Sequence, residues 1–453
     1  MVSRCRWVVG LSAPPLPPLL LFAFTLFLIF KHPLLRIPFT SRYFHLDYGW
    51  APLLGALLLL LTPYADSGTV VRGVVGGEGL HPYAIIILIL SLSYLCVSLD
   101  YRGFFEYLSL RFVRLSGGSG KKLFFLFFLL TSFLTLFTDN DIVILTMTLL
   151  IFYMARRSGA DPLPFLFCQF FTVNTLGMAL YMGNPTNIIA ADSMGLSFVE
   201  FARWMFLPSL VGAFAGFGLL YALFRRRIPR RVEPPEVEPR SVLKAGRGLW
   251  VGLAGLVGAI VFMSLPPGVR VIPMWSGVAL LALLVLASDL LSYGRKVPPL
   301  FRLPWKLAPF LVGLFIQMEA LSSGGWTNLL APRLSSLGGL LPTLFLLTLL
   351  SSLLAGAMNN HPMTLFMVRT LQSPEFSRGS HLRLASTLGV IAGSNLGANL
   401  FLTGALAGLM WAKLLSDKGY PVSFSQFSKY GFLVTLPVMV LISLLLWLEL
   451  SLA

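Results

Sequence analysis

The sequence predicts an all-α polytopic membrane protein, with about ten transmembrane helices plus two re-entrant hairpins set in an inverted repeat. Three observations predict it. The 453 residues are 56% hydrophobic and only 11% charged, with a mean hydropathy of +0.82; a soluble domain carries roughly twice that charged fraction. Apolar runs such as 51–61, 85–95, 123–130 and 340–354 recur along the chain, as membrane spans of about 20 residues do. They are continuous rather than alternating, which excludes an outer-membrane barrel. Some apolar stretches are also too long for one crossing and carry polar breaks at matching places.

Taken in order, the spans fall at residues 17–31, 48–64, 83–100, 123–155, 163–199, 204–224, 248–267, 271–291, 307–322, 337–371, 383–412 and 428–450. Arg4 and Arg6 before the first apolar run give it the look of a signal peptide. Residues 31–36 lack a small-residue cleavage site, so a retained span is expected. The stretch 123–155 would be near 50 Å long as a straight helix, against a hydrocarbon core of about 30 Å. Thr138-Asp139-Asn140-Asp141 interrupts it midway, and four polar side chains there must face protein or water. Lys121 and Lys122 precede it and Arg156 and Arg157 follow it, which puts both ends in the cytoplasm. The segment then reads as a re-entrant hairpin; the plainer alternative is two ordinary spans joined by a tight outer turn.

The same charge argument makes 225–247, opening with Arg225-Arg226-Arg227, a cytoplasmic linker, and marks a second cytoplasmic loop at Arg295, Lys296, Arg302 and Lys306. Gly212 and Gly216 suit close helix packing. Two repeats follow. Residues 1–224 hold scaffold helices, an inward hairpin at 123–155 and a broken helix at 163–199. Residues 248–453 hold scaffold helices, an outward hairpin at 337–371 and a broken helix at 383–412. Ser132 stands seven residues before Asp139, and Ser352 seven before Asn359; Asn174 and Gly183 have counterparts, one residue slipped, in Asn395 and Gly404. This is the inverted-repeat logic of secondary transporters, whose broken helices meet near the midplane.

Several function classes fall away. The net charge of +16 sits in short loops, where topology needs it, and forms no soluble basic face for nucleic acid. Cys5, Cys96 and Cys168 are odd in number and widely spaced, without a disulfide framework or zinc spacing. No nucleophile–base pair or metal-ligand pattern is visible, so neither an enzyme, a cofactor nor a metal site is expected.

The chemistry concentrates at the breaks. Asp139, Asn140 and Asp141 form the first cluster, and Asn359, Asn360 and His361 the second. Asparagines at helix ends can cap free backbone groups and also offer ligands. Buried carboxylates call for a cation, a proton or a partner. Two carboxylates at membrane depth cannot both be comfortable as anions, so a proton-coupling role is expected for Asp139 or Asp141. His361 is a further candidate, as is Glu319, which stands in an apolar span beside Gln317 and alternatively forms an interhelical hydrogen bond. Gly183-Asn184-Pro185-Thr186-Asn187 cannot continue a helix smoothly and frees backbone carbonyls for a solute. Its counterpart runs from Gly393-Ser394-Asn395 through Asn399 to Thr403-Gly404. With Asn140, Asn174, Asn359 and Asn360, these make the expected substrate site.

At these residues a resemblance becomes specific. Segments 139–148, 183–189 and 395–411 resemble the arsenical pump membrane protein (ArsB) family of the ion transporter superfamily, related to NhaD-type sodium/proton antiporters and divalent-anion/sodium symporters. Gly103-Phe104-Phe105-Glu106-Tyr107, Met358-Asn359-Asn360-His361-Pro362-Met363-Thr364 and the stretch 430–438 are similar too, so the likeness spans residues 17–450. The resemblance implies a scaffold and a transport domain in the bacterial inner membrane. It implies extrusion of arsenite or antimonite, in exchange for protons, and members can also be energised by a separate arsenite-stimulated ATPase. The family usually has a single Asp after the first Asn, whereas this chain has Asp139 as well. Where its second break often carries an acid and a lysine, this chain has Ser394 and Asn399. Trivalent arsenic favours soft thiolates, but a three-thiolate trap cannot be built from these cysteines. Neutral arsenous acid, held by Asn and backbone groups, fits better. A sodium/proton antiporter on the same fold is the alternative, because two carboxylates suit a hard cation.

Overall fold

The computed structural model describes residues 14–31, 33–36, 43–77, 80–158, 160–232, 237–244, 246–294 and 297–453. Arg4, Cys5, Arg6, Arg295 and Lys296, singled out above, lie outside the described residues. Apart from one short antiparallel pair, Leu34–Arg36 with Tyr43–His45, the described architecture is helical. Three helices come first: α1 (Leu16–Lys31), α2 (Ala51–Leu60) and α3 (Ser67–Val74). A run of seven follows: α4 (Pro82–Tyr101), α5 (Phe104–Leu115), α6 (Gly120–Phe137), α7 (Asn140–Ser158), α8 (Leu163–Leu176), α9 (Pro185–Ser193) and α10 (Phe198–Phe224). Then come α11 (Arg247–Ser264), α12 (Met274–Tyr293) and the short α13 (Pro298–Arg302). A second run of seven closes the chain: α14 (Leu307–Ser323), α15 (Trp326–Ser335), α16 (Leu340–Met358), α17 (Asn360–Gln372), α18 (Ser380–Leu400), α19 (Leu406–Asp417) and α20 (Phe424–Leu452).

Seven described helices are long and apolar enough to cross a membrane, or eight when α14 and α15, bent by 74°, count as one span. Leu280, Leu283 and Leu284 on α12 and Val257 and Val261 on α11 are exposed, a surface suited to lipid rather than water.

The two runs of seven share their order and their local devices. Between α4 and α5, and again between α14 and α15, stands a left-handed glycine, Gly103 (φ 75°) and Gly325 (φ 88°). α8 and α18 each lead through a 3-10 turn, Tyr181–Gly183 and Leu402–Gly404, into the short α9 and α19. α10 and α20 both start at a serine whose side chain accepts from a backbone amide three residues on, and both contain an internal proline, Pro208 and Pro437.

Capping explains most boundary differences from the apolar reading. The span expected at 204–224 begins at 198, because Ser197 and Glu200 form a capping box. The stretch 163–199 is interrupted at 177–184, and 123–155 at Thr138, whose backbone is extended. The stretch 383–412 runs from 380 to 417 with a break at 401–405, and 48–64 is helical only at 51–60. Hydropathy alone passed over α3, α5, α13 and α15, which are short. α5 also carries Glu106, Arg111 and Arg114.

Glycines and buried polar pairs lock the packing. α18 lies against α16 so closely that a Cβ at Gly393 would meet the Thr348 carbonyl at 2.6 Å, and one at Gly397 the Ser352 carbonyl at 2.8 Å. Small residues allow this backbone approach, and Ser352 Oγ donates to Gly393 O at 3.1 Å. On the other run, Gln169 of α8 donates to the carbonyls of Val143 (3.3 Å) and Ile144 (2.8 Å) on α7. Gln317 ties α14 to the first helices, accepting from Thr25 and donating to Pro52 O at 2.7 Å. Asp289 of α12 is fully buried and accepts from Tyr94 and Ser98 of α4 and from Arg102 just past its end. An aromatic cluster of Phe167, Phe170, Trp411 and Phe427 joins α8, α19 and α20. Each break is therefore framed by helices fixed to one another, which holds the polar side chains there in one arrangement.

Candidate functional site

The site is built where chain breaks expose backbone. Past α6 the backbone runs extended through Thr138, and the Asp139 carboxylate accepts from Asp141 N at 2.9 Å, capping α7. Between α16 and α17 the backbone turns through Asn359 at φ 75°, the one non-glycine with positive φ among the described residues. With ψ at 154° this lies outside the left-handed helical well, in a region nearly confined to glycine, and the Asn359 Oδ1 accepts from His361 N at 3.4 Å. In both runs the side-chain oxygen of a short residue, Asp139 or Asn359, thus caps the helix that restarts after the break.

The two broken helices meet through asparagine side chains, all of them buried. Asn140 Nδ2 donates to Asn174 Oδ1 at 3.3 Å, and Asn174 Nδ2 donates to Asn399 Oδ1 at 3.1 Å. Asn399 Nδ2 reaches Thr175 Oγ1 at 3.1 Å. Beside this chain of bonds, Asn184 Nδ2 donates to Asn395 Oδ1 (3.0 Å), and Asn395 Nδ2 to Asn187 Oδ1 (2.9 Å). Ser394 Oγ donates to Thr186 Oγ1 at 2.8 Å and accepts from Thr364 at 3.0 Å. Asn359 Nδ2 reaches Thr403 O at 3.4 Å, and Thr403 Oγ1 donates to Gly356 O at 2.6 Å. Both 3-10 turns close on glycine. A Cβ at Gly183 would lie 2.2 Å from Gly177 O, and one at Gly404 would lie 2.4 Å from Gly397 O.

The geometry thus brings together two neighbouring hydrogen-bonded sets, Asn140, Asn174 and Asn399 in one and Asn184, Asn187 and Asn395 with the Ser394–Thr186 pair in the other, one turn apart on α18, with Asn359 and Thr403 bonded to each other alongside. Two polar atoms at the second break are buried without a protein partner: Asn360 Oδ1 and His361 Nε2. His361 packs edge-on against Phe310, with centroids 5.4 Å apart. Desolvated polar groups left open in this way call for a partner, such as a water, an ion or a solute. No arginine or lysine bonds to any member of the network among the described residues.

Glu319 is not brought into this network. Its carboxylate takes Arg72 Nε at 2.7 Å and Arg369 Nη2 at 3.1 Å. Arg369 lies nine residues beyond Asn360 on α17, about 13 Å along the helix. The expected interhelical hydrogen bond is therefore a two-arginine ion pair, and neither arginine could be assigned to Glu319 from sequence spacing. Asp139 lines a narrow gap against Ser93 and Cys96 of α4, with Met182, Pro185 and Ile188 opposite. Cys96 and Cys168 are buried free thiols; Cys96 Sγ donates to Phe137 O at 3.4 Å. No group of three or more His, Cys, Asp or Glu side chains suited to a metal occurs among the described residues. Thr364 and Thr175 were missed as contributors, although they lie four residues from Asn360 and one from Asn174 on the same helices and could have been flagged on that ground.

A family model described as CitMHS, citrate transporter, matches residues 19–389. The arsenical pump membrane protein of Escherichia coli strain K12 is 28% identical over 407 residues, covering 87% of this chain and 92% of that protein. Among solved structures, the Alcanivorax borkumensis YdaH transporter aligns over 96% of this chain and 97% of its own, with a TM-score of 0.55 and 15% identity. The Neisseria gonorrhoeae MtrF structure, described with a class of antimetabolite efflux pumps, aligns over 96% of both chains at a TM-score of 0.53 and 12% identity. At such identities the two structures bear on the fold alone.

Proposed function

The chain belongs to the CitMHS family, and from that premise we propose that this multi-pass membrane transporter extrudes arsenite and antimonite across the inner membrane in exchange for protons. One observation supports the cargo most directly. The two buried sets, Asn140, Asn174 and Asn399 beside Asn184, Asn187 and Asn395, carry amide groups from both runs of helices, and no arginine or lysine bonds to them among the described residues. A carboxylate such as citrate calls for guanidinium or ammonium partners. An uncharged trihydroxy solute such as arsenous acid asks only for hydrogen bonds, which amides supply. The likeness to an arsenical pump membrane protein over most of the chain points the same way.

In this reading residues 1–224 and 248–453 act as the two repeats, joined by 225–247, with hairpins at 123–155 and 337–371 and broken helices at 163–199 and 383–412. Asp139 and Asp141 carry the proton. Asn360 and His361, with unpartnered polar atoms at the second break, complete the substrate's hydrogen bonds. The gap between Asp139 and α4 lets a proton reach the carboxylate without crossing the amide network.

The test is tolerance on expression in a bacterium lacking its own metalloid pumps and sodium antiporters. Growth rescued on arsenite and antimonite but not on sodium is the expected result. Rescue on sodium alone would favour the antiporter reading, in which the two carboxylates take a hard cation.

A further inference from the structure

A second polar region lies outside the asparagine network. At the N-terminal end of α4 is a cavity of about 540 Å3, walled by Tyr83, Trp275, Tyr181, Asp192 and Arg270. Ile188 lines both this cavity and the narrow gap at Asp139, so the two lie on either side of one side chain.

Arg270 is the anomaly. Its Nη1 is buried and has no hydrogen-bond partner among the described residues, and the guanidinium belongs to no ion pair there. The two carboxylates nearby are committed elsewhere. Asp192 accepts from His81 N at 2.9 Å and lies 3.4 Å from the His81 ring. Glu200 caps α10 through Ser197 at 2.7 Å. Arg270 as a residue is half-buried, between the exposed Val269 and Val271, yet one of its guanidinium nitrogens is out of water without a partner, which is costly, and Tyr83 and Trp275, edge to face at 5.7 Å, wall the same cavity.

We infer that this cavity is a vestibular anion subsite in which Arg270 takes a small oxyanion or carboxylate. The guanidinium presents paired donors that match such groups. The bound anion is distinct from the uncharged cargo of the central network; it sits at the N-terminal end of α4, the helix that also walls the gap at Asp139.

The test titrates citrate and, separately, inorganic phosphate into the full-length protein in detergent micelles at constant ionic strength, read by calorimetry. Saturable binding of at least one probe is expected. Arg270→Gln should weaken it about tenfold or more, with Arg270→Lys between the two. Arg302→Gln, which alters a different cavity, should bind as the parent does. Citrate alone would assign an organic carboxylate, and phosphate alone an inorganic oxyanion. Absence of saturation with both probes, or parental affinity in Arg270→Gln, overturns the inference. If Arg270→Gln does not fold, the parent's tryptophan emission decides. A bound probe should change it, and Trp275→Phe should remove that change; an unchanged parent, or a full change in Trp275→Phe, overturns the inference equally.

Discussion

The side-chain amide of Asn174 donates to the amide oxygen of Asn399 at 3.1 Å, joining α8 to α18 across 225 positions of the chain. Asn174 also accepts from Asn140, and Asn399 also donates to Thr175, so this one bond couples the first helix break to both broken helices. Removing either partner strands a buried amide, at a cost of about 1–3 kcal/mol. Asn174→Ala and Asn399→Ala should each lower the melting temperature in detergent and reduce metalloid uptake into everted vesicles. The double variant should lose less than the sum, with a coupling of about 1 kcal/mol. Strict additivity would mean that the two amides do not act through each other.

Gly183 and Gly404 make a sharper demand. A Cβ at either would press on a carbonyl oxygen, Gly177 O at 2.2 Å or Gly397 O at 2.4 Å. Backbone, unlike the tip of a flexible side chain, cannot step aside cheaply. Gly183→Ala and Gly404→Ala should each cut transport by more than about tenfold, because the asparagines that follow or precede the turn move with it. Gly218→Ala, where a Cβ meets nothing within 4 Å, should transport as the parent does. Normal uptake in both turn variants would show that the 3-10 turns need not keep their shape.

What the sequence made legible and what it hid divide along a physical line. Polar interruptions of apolar runs are local signals, so the breaks near Asn140 and Asn359 could be read directly, and so could the glycines of the two turns. Amphipathic helices such as α5 carry charge within their length and fall below any hydropathy threshold, though the Ser197–Glu200 spacing would have moved the start of α10 to its true place. Pairings across the fold have no local trace. Asn174 could be ranked as a site residue, but nothing near it in the chain says that it meets Asn399. Likewise Glu319 stands conspicuously in an apolar helix, while Arg72, 247 positions away, gives no hint of being its partner.

Thiol chemistry gives an independent check on the cargo. Cys96 and Cys168 are both buried and free, and neither belongs to the asparagine network. Cys96 makes a weak contact to Phe137 O at 3.4 Å, which a serine hydroxyl can replace. A variant with Cys5, Cys96 and Cys168 all changed to serine should therefore keep most of its arsenite uptake at normal expression. Complete loss would mean that thiolate ligation carries the metalloid, and the hydroxyl-recognition reading would fail.

Coupling is the most demanding prediction. Asp139 and Asp141 flank Asn140, the residue that starts the asparagine chain, and Asp139 also faces the gap along α4. A proton carried there lies one residue from the substrate network, which is what exchange requires, since loading one must discharge the other. Asp139→Asn keeps an amide oxygen for the bond from Asp141 N, so the cap on α7 survives while the charge is lost. Asp139→Asn or Asp141→Asn should abolish proton-driven arsenite uptake into everted vesicles while the protein still inserts, and energy-independent arsenite exchange should persist. Glu319 is held between Arg72 and Arg369, away from the asparagines. Glu319→Gln should lower the melting temperature, because it leaves the largely buried Arg369 without its counter-ion, yet leave the pH profile of transport where it was. Were both aspartate variants to transport with the parent's pH dependence, the proton would have to be carried elsewhere, and His361, with its unpartnered Nε2 at the second break, would be the group to substitute next.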